Sequence, residues 1–79
     1  LNNYTVAVQR SSVKVKDVIK LLEEDGWYLV RTKGSHRQYN HSVKLGTVTV
    51  PSKLSKDLAI GTFKSILRQA QLKETEDEE

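Results

Sequence analysis

Residues 27–41 read WYLVRTKGSHRQYNH, and the way this stretch alternates decides the fold. Aromatic and β-branched types dominate its first half, so Tyr28 to Thr32 is expected to be a strand. Gly34-Ser35 then reads as a turn. In the second half, period-two alternation sets His36, Gln38 and Asn40 on one face of a strand, with Arg37, Tyr39 and His41 on the other. Ser42 to Gly46 is a polar connection, and Thr47 to Val50 forms a third short strand. It stops at Pro51, which has no N–H for the ladder. Three strands in succession predict an antiparallel meander.

Upstream, Val15, Val18, Ile19 and Leu22 recur at the i, i+3, i+4, i+7 spacing of one helical stripe. Ser11 or Ser12 is the expected cap of this helix, and Gly26 its terminator. Downstream, Phe63, Ile66, Leu67 and Ala70 repeat the spacing, with Thr62 as the expected N-cap and an end near Gln71 or Leu72. Between Pro51 and this helix, SKLSKDLAIG has no clean period and reads as a loop in which Leu54, Leu58 and Ile60 cover the end of the core. Two short amphipathic helices need a common surface. The expected fold is therefore α+β, helix-strand-strand-strand-helix, with both helices on one face of a three-stranded antiparallel sheet and the other face open. Residues 1–12, where Tyr4, Val6 and Val8 alternate, read either as a short edge strand or as a disordered extension.

The chain has 79 residues, no Cys and no Met. That size excludes a multidomain enzyme with an interdomain cleft, and the absence of Cys excludes disulfides, Cys-ligated zinc and iron-sulfur clusters. No apolar run approaches the length of a membrane span and no signal peptide opens the chain, so no membrane association is expected and the cytoplasm is the default location. The net charge of +3 conceals a division, because Glu74, Glu76, Asp77, Glu78 and Glu79 form an acidic tail at 73–79. Without those five acids, 13 cations face five acids and the rest of the chain carries +8. From Gly26 to Lys56 there are six cations and no acid. Such a surface suits a polyanion, since each neutralised phosphate releases counterions; excess lysine for solubility is the plainer explanation.

His36 sits in the densest part of that positive region, flanked by Arg31, Lys33 and Arg37. An imidazole titrates near neutrality and can exchange a proton with a ribose hydroxyl or a leaving oxygen, while nearby cations stabilise phosphoryl charge. A lone histidine beside a turn is more often an ordinary surface group. His41 has the opposite parity and is not expected to pair with it. Two histidines and scattered acids match no metal motif, so neither metal nor other cofactor is expected. Trp27 is read as core, and Tyr39 either as core or as a platform for an unpaired base.

The stretches KDVIKLLEEDGWYLVRTKGSHRQYNH, GTVTVP and KDLAIGTFKSILRQAQL together resemble the HicA toxin family, the YcfA-like mRNA interferases, over about residues 14–72. The resemblance rests on Gly26-Trp27, Arg31, Gly34-Ser35-His36, Thr49-Val50-Pro51 and Gly61-Thr62 in order. It implies a fold like the double-stranded RNA-binding domain over 13–72, a metal-independent endoribonuclease acting on mRNA, and a HicB-like antitoxin as partner. It also implies that His36 is the catalytic residue, presented by Gly34 and Ser35. Relatives often carry a second histidine where this chain has Lys53, His-Pro where it has His41-Ser42, and a glycine where it has Gln71. The expected arrangement is single-stranded mRNA held by Arg31, Lys33, Ser35, Arg37 and Lys53, with His36 assisting attack by the 2′-hydroxyl. The alternatives are a noncatalytic RNA-binding module and a protein-interaction domain using the same positive surface.

Overall fold

The structure, a computed structural model, describes residues 5–7 and 13–75. In chain order the elements are β1 (Thr5–Ala7), β2 (Val13–Lys14), α1 (Val15–Glu24), β3 (Tyr28–Lys33), β4 (His36–Asn40), β5 (Val48–Pro51), β6 (Asp57–Leu58), α2 (Ile60–Gln69) and β7 (Lys73–Thr75). The strands β3, β4 and β5 make the antiparallel meander, in that order. Both helices pack on one of its faces, so the helix-strand-strand-strand-helix arrangement is as expected.

The reason lies in the alternation. Tyr39 on β4 and Val48 and Val50 on β5 point to the helix side and are buried with Val15, Val18, Ile19 and Leu22 of α1 and Phe63, Ile66 and Leu67 of α2. Trp27 is also core, only 2% exposed. Tyr39 is 1% exposed, which removes it as a base platform. Burial raises its phenol pKa against the opposing influence of Arg37.

Both helices end in the same way. At α1 the N–H of Gly26 reaches Glu23 O and that of Trp27 reaches Leu22 O; at α2 the N–H of Gln71 reaches Arg68 O and that of Leu72 reaches Leu67 O. These are Schellman ends, which require a left-handed residue just past the cap. Gly26 supplies it at φ 102°, whereas Gln71 adopts φ 57° without being glycine.

The helix starts differ from expectation. Ser11 and Ser12 lie outside the described residues; the cap position of α1 is Lys14, whose backbone N–H donates to Asp17 Oδ2 at 3.2 Å. The cap of α2 is Ala59, with no side-chain bond, so Thr62 lies inside the helix. The start is instead fixed from outside, by the two-residue β6 pairing antiparallel with β2. In that segment only Leu58 covers the core; Leu54 and Ile60 are about half exposed, because the short strand turns a single side chain inward.

Beyond the domain proper, β1 pairs in parallel with β7, Thr5 opposite Lys73. Three residues of the expected extension and the start of the acidic tail are thus strands. Tyr4 and Val8 of the alternation, and the four acids from 76 onward, lie outside the described residues. Among the described residues no helix is long and apolar enough to cross a membrane.

Candidate functional site

The β3–β4 turn is a two-residue hairpin loop. Gly34 takes the first central position at φ 59°, while Ser35 has no positive φ, the pattern of a type II′ turn. A side chain at Gly34 would meet no atom within 4 Å, so the backbone angle alone calls for glycine there. His36 begins β4 immediately after the turn and is exposed.

Register assigns its neighbours. His36 pairs with Lys33 on one side and Pro51 on the other; Gln38 pairs with Arg31 and Thr49; Asn40 pairs with Tyr28. Cross-strand partners share a face. The open face of the sheet therefore carries Tyr28, Arg31, Lys33, His36, Gln38 and Asn40. A bulge at Val30, between Leu29 and Arg31, shifts the register by one and so brings Tyr28 onto the same face as Arg31 and Lys33.

Arg37 does not join them. It points to the helix side with Tyr39, and its Nε donates to Ser52 O at 3.2 Å. The N–H of Ser52 in turn donates to Ser35 O at 2.9 Å. Through these two bonds the segment after Pro51 is fastened to the hairpin turn, and Lys53, the next residue, is held exposed beside it. Of the residues singled out from sequence, Arg31, Lys33 and His36 share the open face, Ser35 is in the turn at its rim, and Lys53 flanks the turn.

Tyr28 is the residue that sequence reasoning passed over. It is 50% exposed, an aromatic ring on the basic face two cross-strand pairs beyond Arg31. Its signal was available in the sequence only to a reading that allowed for the bulge, since strict alternation from Lys33 sends position 28 to the opposite face.

The second histidine is structural. The N–H groups of Val43 and Lys44 donate to His41 Nδ1 at 3.0 and 3.1 Å, which leaves Nε2 as the protonated nitrogen; it donates to Asp25 O at 2.6 Å. The ring also meets Trp27 edge-on at 5.1 Å. Beside it Lys44 Nζ lies 2.6 Å from Asp25 Oδ2, whose side chain is 3% exposed, and also reaches the carbonyls of Ala70 and Gln71. Trp27 Nε1 donates to the same carboxylate oxygen at 3.2 Å. Among the described residues no three His, Cys, Asp or Glu side chains are grouped to hold a metal ion.

Residues 15–72 match the family model described as the HicA toxin of bacterial toxin-antitoxin systems. A comparison with curated proteins gives no match.

Proposed function

Because this chain belongs to the HicA toxin family, which matches residues 15–72, we propose that it is the toxin of a toxin-antitoxin pair and cleaves single-stranded mRNA without a metal cofactor. One observation carries the reading: His36 is exposed on an open sheet face beside Lys33, immediately after a turn to which Ser52 is bonded.

In this reaction an imidazole nitrogen of His36 takes the proton of a ribose 2′-hydroxyl or delivers one to the departing 5′-oxygen, and solvent water exchanges the other proton. The 2′-oxygen forms its bond to phosphorus as the bond from phosphorus to the 5′-oxygen breaks. The products are a 2′,3′-cyclic phosphate and a 5′-hydroxyl. Lys33, opposite His36 on the neighbouring strand, and Arg31, two residues further along that strand, hold the phosphates; Lys53, across the turn, supplies charge where relatives carry a histidine. Ser35 contributes its position in the turn. Arg37 serves the site through Ser52, by holding the turn in place, and not through the face that carries His36. Tyr28 stacks an unpaired base further along the same face. A single strand is favoured over a duplex because stacking on Tyr28 needs a base free of its partner. A HicB-like antitoxin is the partner that masks this face, and the cytoplasm, where mRNA is found, is the site of action.

The test is a matched comparison of wild type and H36A on a defined RNA in EDTA, with product ends mapped. Loss of cleavage with retained RNA binding and fold is expected. Equal cleavage by H36A would overturn the assignment.

A further inference from the structure

The two edges of the central sheet are treated differently. At β5, the N–H of Thr49 is taken by Oε1 of Gln69 from α2 at 3.1 Å, and Pro51 offers no N–H at all. That edge is closed. At β3 all six residues are exposed, including Tyr28, Leu29 and Val30 at 50, 44 and 39%, and among the described residues the strand has a neighbour on one side only. Lys33 and His36 close a two-residue turn as a hydrogen-bonded pair, so Thr32, one place further in, turns its N–H and C=O away from β4. A strand this long with apolar side chains and free backbone groups is a template for another strand.

Its faces specify what kind. Arg31 and Lys33 lie on the open face, and Leu29, paired with Tyr39, lies on the helix face. A strand laid along this edge meets cations on one side and an apolar side chain on the other, with no acid between Gly26 and Lys56 to supply balancing charge. A second copy of this chain would bring two such basic strands together, with +8 on residues 1–73 of each. We propose that the free edge of β3 takes an extended segment of another protein in which acidic and apolar residues alternate, added as a fourth strand of the central sheet. This docking needs no ribonuclease activity and is measured with RNA absent, so it stands or falls apart from the function proposed above.

The test uses the full chain, isotopically labelled, and a capped peptide matching the six residues of β3 that alternates glutamate with valine. Amide shifts confined to β3 and slowed exchange of the Thr32 amide are expected, with no response to a peptide carrying lysine in place of glutamate. Thr32→Pro removes one outward N–H and is expected to weaken binding about tenfold. If that variant does not fold, Val30→Glu, at an exposed position, places like charge against the peptide and is expected to weaken it as well. Unchanged affinity in the folded variants, no response of β3 up to about 1 mM peptide, or self-association through β3 that shuts the peptide out would each overturn the proposal.

Discussion

Replacing Gly26 by alanine separates two costs that one position combines. At φ 102° any side chain is strained, a cost of about 1–2 kcal/mol. The new Cβ also falls 2.8 Å from His41 Nε2, well inside contact distance. A flexible side chain would move aside cheaply, but this ring is held by three hydrogen bonds and by the edge of Trp27. Displacing it weakens bonds of about 1 kcal/mol each. The expected total is about 3 kcal/mol, a large share of the roughly 4–12 kcal/mol that a domain of this length has. Gly46→Ala is the control: φ is 92° and nothing lies within 4 Å, so only the strain of about 1–2 kcal/mol applies. Urea unfolding of G26A, G46A, H41A and the G26A/H41A pair measures the difference. With His41 truncated, the cost of G26A is expected to fall to that of G46A, a coupling of about 1.5 kcal/mol. An equal cost of G26A in both backgrounds would show that the ring is not what reserves this position for glycine.

Lys44→Met leaves the Asp25 carboxylate, 3% exposed, with Trp27 Nε1 as its one remaining partner among the described residues; a loss of about 3 kcal/mol in urea unfolding is expected, partly recovered by D25N in the same chain. At alkaline pH two groups act in the same direction. The hydrogen bond and charge of Asp57 raise the Lys14 pKa above its usual 10.5, and burial raises that of Tyr39 above 10.0, so each contribution is complete below those values and is lost as pH rises through the folded-state pKa. Unfolding titrations above pH 10 should therefore show a flatter decline for D57N and for Y39F than for wild type. Tyr28→Ala is expected to weaken single-stranded RNA binding by about 1–3 kcal/mol with little change in stability, read by fluorescence anisotropy and thermal unfolding together.

The central fold was legible because its signals are local. Helical spacing picked out Val15, Val18, Ile19 and Leu22, and alternation put Tyr39 on the opposite face from His36; each of these follows from a single element's period. What escaped the sequence depends on distant partners. The start of α2 is set by β6 pairing with β2, some 43 residues away in the chain, as the Lys14–Asp57 contact shows, so Thr62, which has the sequence signature of a cap, is instead the third residue of the helix. Gln71 carries no sign of a left-handed angle, which the Schellman geometry imposes on it. At the candidate site, the turn, the strand position of His36 and the opposite face of Arg37 could be read directly, whereas the bulge that turns Tyr28 to the open face, and the bond that ties Arg37 to Ser52, exist only once the strands are in register.

Lys44 also bears on the order in which the molecule comes apart. Its ammonium joins a carboxylate 19 residues before it and a carbonyl 26 residues after it, at the finishing ends of both helices. Each helix and the β3–β4 hairpin can form from nearby residues, but this three-way contact closes only when both helix ends have docked on the sheet. Interactions completed so late are absent from the folding barrier and govern escape from the native state. The lysine is therefore expected to act as a kinetic latch: in stopped-flow measurements Lys44→Met should leave the rate of folding nearly unchanged and speed unfolding.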